Sequence, residues 1–279
     1  MKILITGSNG FIGKHLCNLL GKDYNIYKIC SPSTSSSDNN SFSIDLSNKK
    51  AMSNLINILS DQKFDAIIHL ASKMASPNKT DDLRIIKDNI TISENVANLI
   101  KVIKPEVFIN FSSMAVYPNI SGLFSEKSLP NPQKNTDCIY GLSKYCSEVI
   151  FDFLLEREKI RIVHLRVSQV YGEGMRKDRI IPIMLKELNE TNTITVFGSG
   201  QRKSNFIEVK KLVKQTQFFL LNNLEGIYNI GDQNISYVDL AQELINEYGN
   251  NNSTINKLPE GNKEKFSLDI SKLKSIYKD

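Results

Sequence analysis

An apolar strand, a glycine-rich turn and an amphipathic helix follow one another directly at the start of the chain, and few folds accommodate that succession. Ile3-Leu4-Ile5 reads as a buried strand, TGSNGFIG (residues 6–13) comes next, and Phe11, Ile12, Leu16, Leu19 and Leu20 recur at helical spacing. Gly7, Gly10 and Gly13 are spaced GxxGxxG, one residue longer than the GxGxxG fingerprint. The physical needs are the same: a tight turn, close backbone approach to a pyrophosphate and close packing of helix on strand. The helix N-terminus adds unpaired N–H groups and a dipole suited to an anion. A glycine turn without a ligand is the alternative. The strand before and the helix after favour dinucleotide binding, with Gly7, Asn9, Gly10, Phe11, Ile12 and Gly13 in contact.

The same rhythm continues through the first half. Strands are expected at 26–30, 66–70, 107–111 and 162–167, and long helices at 84–103, ended by Pro105, and at 139–158. The strands are continuously apolar rather than alternating, which indicates a parallel sheet covered on both faces. The expected fold is α/β: a doubly wound parallel, Rossmann-type sheet over residues 1–171. A smaller C-terminal lobe for substrate is expected over 172–279, with helices near 180–189, 208–223 and 236–248 and one strand near 227–230 returning to the sheet. The stretch 31–43 and the Asn/Ser-rich tracts 33–41 and 249–256 read as solvated loops.

Composition narrows the partners. The 35 Lys and Arg against 30 Asp and Glu leave a net charge of +5 without a basic block, which suits an anionic small molecule and argues little for nucleic acid. Cys17, Cys30, Cys138 and Cys146 show no metal-ligand spacing, so no metal is expected and the thiols suit a reducing compartment. No apolar run approaches the ~20 residues that span a bilayer. The chain opens on a strand rather than a leader. A cytoplasmic protein without membrane contact is expected.

Ser31 stands at the end of the second strand, where an NAD-binding chain carries an acid for the ribose 2′-hydroxyl; no carboxylate follows until Asp38. Its absence removes repulsion against a 2′-phosphate and favours NADP, with NAD the alternative. No Arg or Lys follows to clamp the phosphate; Ser31, Ser33 and Thr34 offer only hydroxyls. Asp45 and Leu46 are candidates to meet the adenine, and Asp45 reads equally well as a helix N-terminal acid.

Tyr140 and Lys144 are four apart on a helical pattern and share one face, and Ser113 ends a buried strand. A Lys ammonium beside a phenol favours the phenolate, drawing it below its usual value of about 10. A serine hydroxyl there holds a carbonyl oxygen next to the phenol. His69, His15 and His164 read as packed or hydrogen-bonded histidines, and Tyr117 and Tyr171 as substrate contacts or interface aromatics.

TGSNGFIG, IIHLAS (67–72), FSSMAVY (111–117), YGLSK (140–144) and LRVSQVYG (165–172) stand in the order and spacing of the extended short-chain dehydrogenase/reductases, the group of nucleotide-sugar epimerases, dehydratases and 4-keto-reductases. VFGSGQRKSNFIEV (196–209), IYNIGDQNISYVDLAQEL (227–244) and FSLDISKLK (266–274) resemble the later motifs of that family. The resemblance implies that Tyr140 is the acid/base, that Lys144 binds the nicotinamide ribose, and that Ser113 is the catalytic Ser/Thr. It implies that Ser112, Leu70, Ala71 and Ser72 line the dinucleotide. Gln169 would approach nicotinamide and substrate, and Arg202 would clamp a substrate pyrophosphate. It also implies a homodimer through the helices at 84–103 and 139–158.

The chain departs from the family in three places. Ser204-Asn205 replace an Arg-Asp pair, Lys210-Lys211 replace an acidic pair, and Met114-Ala115 stand where dehydratases carry Asp-Glu. The expected function is therefore an NADPH-dependent reductase of a nucleotide-linked 4-keto-6-deoxyhexose, in surface-polysaccharide precursor synthesis. A nucleotide-sugar 4-epimerase with bound NAD is the alternative, and a non-catalytic dinucleotide-binding protein the third.

Overall fold

The computed structural model describes residues 1–33, 39–74 and 81–278; Thr34, Asp38 and Ala75 lie outside the described residues. Its elements in chain order are β1 (Lys2–Thr6), α1 (Phe11–Leu20), β2 (Asn25–Cys30), β3 (Ser41–Ser43), α2 (Lys49–Leu59), β4 (Ala66–His69), α3 (Arg84–Ile103), β5 (Val107–Ser113), β6 (Gly122–Phe124), α4 (Cys138–Leu155), β7 (Arg161–Val167) and β8 (Gln169–Tyr171). There follow α5 (Ile180–Thr191), β9 (Thr193–Val196), β10 (Lys203–Glu208), α6 (Val209–Leu221), β11 (Gly226–Ile230), β12 (Gln233–Ser236), α7 (Tyr237–Tyr248), β13 (Thr254–Lys257), β14 (Phe266–Leu268) and α8 (Ser271–Ile276).

Seven strands form one sheet in the order β11-β7-β5-β4-β1-β2-β3, and every neighbouring pair is parallel. This is the doubly wound sheet that the continuous apolar strands predict. Alternation within each strand feeds two cores. Ile3 and Ile5 of β1 join Ile68, Ile109, Leu16 and Phe219 on the face covered by α1 and α6. Leu4 joins Ile67, Phe108, Val96, Leu55 and Phe151 on the face covered by α2, α3 and α4. The order of strands reverses between β1 and β4, and their C-terminal ends open a crevice there, where doubly wound sheets place their ligands.

A third core joins α5, α7, β9, β10 and β12 through Met184, Leu188, Ile194, Phe206, Leu240 and Leu244. β10 pairs with β8 in parallel and with β12 antiparallel. A small fourth cluster seats Phe266 and Leu268 against Val116 and Tyr117.

Among the elements that differ from the sequence expectation, α2, β3 and β13 are instructive. Helix α2 is absent from the pattern above, although Asn48 caps it by accepting from the Ala51 N–H at 3.1 Å and Met52, Leu55 and Leu59 are buried. β3 lies within the stretch read as loop over 31–43, and β13 begins within the tract 249–256. β3 pairs with β2 and β13 with β9; each adds one partly buried apolar side chain to a core, Phe42 and Ile255, and β13 exposes Thr254, Asn256 and Lys257. Such strands carry little apolar signal.

Phe151 of α4 is fully buried and meets Phe108 edge-on, with ring centroids 4.7 Å apart. Phe151→Ala is expected to lower the free energy of unfolding by about 3–5 kcal/mol, as removal of a packed aromatic does. Denaturant titration followed by circular dichroism measures it.

Candidate active site

The turn after β1 is built by close backbone approach. Gly7 has φ +71°, and its N–H bonds the Ile29 carbonyl of β2 at 2.9 Å. A Cβ on Gly13 would stand 2.2 Å from the Gly7 oxygen, so only glycine lets α1 begin this near the turn. Gly10 precedes α1 with no side-chain cap, and the first turn of the helix carries no acid. The first helical bond runs from Lys14 to Gly10 at 3.0 Å, leaving the N–H groups of Phe11, Ile12 and Gly13 without helical partners. This is a cradle for an anion, and a pyrophosphate fits it.

The cradle is one end of a cavity of about 1020 Å³ along the C-terminal edge of the sheet. Every residue that the sequence assigned to coenzyme, catalysis or the sugar pyrophosphate lines it. Gly7, Asn9, Gly10, Phe11, Ile12 and Gly13 form the cradle; Ser31, Asp45 and Leu46 stand at the ends of β2 and β3. Leu70, Ala71 and Ser72 follow β4. Ser112, Ser113, Tyr140 and Lys144 stand at the ends of β5 and the start of α4, and Gln169 and Arg202 close the far side. Among the described residues no group of three or more metal-ligating side chains comes together.

At the β2 end, the Ser31 hydroxyl lies 3.1 Å from that of Ser33. Asp45 is not a helix N-terminal acid, since Asn48 caps α2. Its carboxylate accepts from the Ser47 N–H and hydroxyl at 2.9 and 2.7 Å, which holds it below the usual carboxylate range, and Lys73 approaches to 4.0 Å.

The electrostatics of Tyr140 overturn one expectation. Its phenol is raised above its ordinary value by burial, opposed by a hydrogen bond from Ser72 and by the charge of Arg179. Lys144 is not among the groups that act on it. The ammonium is itself buried, and burial draws it down to about 8, with Glu148 opposing. A shared helix face therefore does not by itself lower the phenol. Ser113 accepts from the Ala115 N–H at 3.1 Å. His69 is buried, bonded to the Thr6 hydroxyl at 2.6 Å, and lowered to about 3 by burial and by Lys144, which makes it neutral.

On the far side, Gln169 donates to the Ser204 hydroxyl at 2.8 Å, and the Arg202 guanidinium lies 5.0 Å over the Tyr237 ring. Asn205 is buried and ties β10 to β12 by donating to Asn234 at 3.0 Å. Tyr171 lines the cavity, whereas Tyr117 is wholly buried outside it.

Several residues were missed. Arg176 and Arg179, just before α5, line the cavity; the run RKDR (176–179) was their signal. Asn89 of α3 holds the segment after β4, accepting from the Lys73 N–H at 2.7 Å and donating to its carbonyl at 3.0 Å, and also donates to Ser143 at 2.9 Å. Glu148 and Arg166 form a buried ion pair under α4.

The model of the NAD dependent epimerase/dehydratase family matches residues 3–231. A dTDP-4-dehydro-6-deoxyglucose reductase of Escherichia coli is 30% identical over 246 residues, covering 82% of this chain and 76% of its own. A dTDP-D-glucose 4,6-dehydratase of Dictyostelium discoideum is 28% identical over 271 residues, covering 88% of this chain, which spans 62% of that relative's length. The solved structure of UDP-glucuronic acid 4-epimerase from Bacillus cereus in complex with NAD superposes with a TM-score of 0.79 at 29% identity, covering 99% of this chain and 92% of its own. The glycine cradle, the continuous cavity and the family match over most of its length agree: the chain belongs to the NAD dependent epimerase/dehydratase family, within the extended short-chain dehydrogenase/reductases, and is a nicotinamide-dependent enzyme of that kind.

Proposed function

We propose that the chain is an NADPH-dependent reductase of a nucleotide-linked 4-keto-6-deoxyhexose that acts in the synthesis of surface-polysaccharide precursors. The observation that carries this reading is the lining of the cavity: no carboxylate stands at two positions where relatives of other activity need one. The turn after Ser113 carries Met114 and Ala115, which supply no acid or base for eliminating water. The end of β2 carries Ser31, which does not repel a 2′-phosphate. The reductase relative supports the assignment.

A bound nicotinamide dinucleotide supplies the hydride. The chain's residues do the rest. The cradle of Gly7, Gly10 and Gly13 takes the pyrophosphate, and Lys144, a buried ammonium lining the cavity, holds the ribose hydroxyls. Ser113 donates to the C4 oxygen of the sugar. Tyr140 gives that oxygen its proton, and burial keeps the phenol protonated through neutral pH for this purpose. Arg202, fixed over Tyr237, meets the substrate pyrophosphate, where a guanidinium matches phosphate geometry.

A 4-epimerase with retained NAD is the second reading, favoured by the likeness to the Bacillus cereus 4-epimerase. Its reaction begins by removing a proton from the C4 hydroxyl, which needs Tyr140 as the phenolate.

The quaternary reading is a homodimer through α3 and α4. Ile90, Val149 and Phe153 are exposed there, Phe153 to 76%. None of the four cysteines is in a disulfide, which suits a reducing compartment. Among the described residues no helix is long and apolar enough to cross a membrane.

Purified protein mixed with dTDP-4-keto-6-deoxyglucose is expected to consume NADPH at 340 nm, and Tyr140→Phe to lower kcat by about 100-fold or more. Turnover of a dTDP- or UDP-hexose with no added coenzyme would instead establish the epimerase. Ser31→Asp is expected to weaken NADPH about tenfold or more relative to NADH, through like-charge repulsion; an unchanged ratio in coenzyme titrations removes the argument from Ser31. Phe153→Asp is expected to halve the mass seen by light scattering; a wild-type monomer overturns the dimer.

A further inference from the structure

Ser113 stands on β5, and Tyr140 and Lys144 stand on α4; among the described residues no hydrogen bond joins any two of the three. Their mutual placement therefore depends on how α4 is seated on the sheet. Two of the contacts that seat it bear on this placement. At its start, Gly141 lies so near the turn after β5 that a Cβ would stand 2.1 Å from the Ala115 oxygen. Further along, Glu148 sits one helical turn after Lys144 and two after Tyr140. Its carboxylate accepts from the Ser112 hydroxyl and takes both arms of Arg166, Nε at 3.0 Å and Nη2 at 2.7 Å.

Ser112 and Arg166 are register partners on β5 and β7, so a single carboxylate ties the helix to two adjacent strands. The remaining Nη1 of Arg166 donates to the Tyr117 hydroxyl at 2.9 Å, which donates to Asn229 of β11 at 2.9 Å. Glu148 and Arg166 side chains are each 2% exposed. A buried ion pair is a poor source of stability, since packed apolar residues serve as well or better. A bidentate fork, however, has one geometry.

We propose that Glu148 is a positioning residue for the reaction: by gripping Ser112 and Arg166 together it sets the register of α4 over β5 and so the placement of Tyr140 and Lys144 against Ser113. The inference rests on the reading of the site as a nicotinamide-dependent reductase or epimerase. Glu148 also acts through space on Lys144, opposing the effect of burial that draws the ammonium to about 8. The other groups around Lys144 are few. Its own helix adds the neutral Tyr140, and β4 adds the neutral His69. β5 and the turn after it present Ser112, Ser113 and apolar residues, and α3 presents the amide of Asn89, bonded to Ser143. Arg166 of β7 lies behind Glu148.

The test uses Glu148→Gln. The double variant Glu148→Gln/Arg166→Gln serves if a lone buried guanidinium prevents folding. The coenzyme, NADPH or NADH, that binds the wild type more tightly is titrated by its own fluorescence across the pH range, and kcat and KM are measured for dTDP-4-keto-6-deoxyglucose. The chain has no Trp to interfere. Expected is a fall in kcat of about 10- to 100-fold from misplacement, with KM for the sugar changed less than about threefold. The alkaline midpoint of coenzyme binding is expected to move down by about one pH unit, because the opposing carboxylate is gone and the ammonium is lost earlier. A folded variant with wild-type kcat and midpoint overturns the proposal. A folded variant that loses kcat without moving the midpoint overturns it too, leaving Glu148 a structural part only. A wild type that binds neither coenzyme would sink the reading of the site on which the inference rests.

Discussion

A parallel sheet buried on both faces dictates most of what this chain can do. Each strand must be followed by a crossing segment that returns to the same starting edge, so every strand delivers its last residue to the opposite edge. Gly7 after β1, Ser31 after β2, Leu70 after β4, Ser113 ending β5 and Ser168 after β7 all arrive at that edge. They are dispersed along the sequence and adjacent only because the sheet has the order that it has. The helices that cover the two faces also diverge at the reversal between β1 and β4, which leaves the edge open. Site and core are consequences of one packing requirement.

That requirement has a cost where the sheet carries polar side chains. Thr6, His69, Asn110 and His164 are register partners on β1, β4, β5 and β7 and are all buried. A buried polar group without a partner is expensive. These are joined in pairs: Thr6 with His69 at 2.6 Å, Asn110 with His164 at 3.0 Å, and His164 onward to Asp152 of α4 at 2.9 Å. The rung lies under the same helix as the Glu148–Arg166 pair. α4 is thus held to the sheet by hydrogen bonds as well as by Phe151. A helix held by apolar contacts alone can slide at little cost, whereas directional bonds admit one register.

How much of this was legible in the sequence follows from the physics of each feature. The glycine turn and the helix at 84–103 were legible because a backbone conformation and a helical period leave local marks. The residues that line the cavity were legible because strand ends are positions that topology assigns, and the motifs sit at those ends. α2, β3 and β13 left weaker marks: β3 and β13 each add one apolar side chain to a core, and α2 is short with lysines and asparagines on its open face. Glu148 was not legible, because an acid four residues after a lysine reads as an ordinary pair on a solvated helix face. Only the register of β5 with β7 reveals that Ser112 and Arg166 converge on it. The direction of the Tyr140 shift was not legible either, since helical spacing fixes a face but not the depth to which a phenol is buried or where an ammonium points.

That last point bears on the direction of the chemistry. Burial disfavours whichever form carries charge, so it acts with opposite sign on a phenol and on an ammonium. Tyr140 is pushed up from its ordinary value and Lys144 down to about 8. Their usual order is thereby reversed: the cation is lost before the acid. Near neutral pH the cavity holds a protonated phenol and a charged lysine together, the state that the proposed reduction asks of them. Removing a proton from an alcohol asks the same phenol to begin as an anion, against the burial that surrounds it. The low-dielectric wall of the cavity therefore acts with opposite sign on its two titratable groups, and the size of both effects belongs to the depth at which α4 is seated.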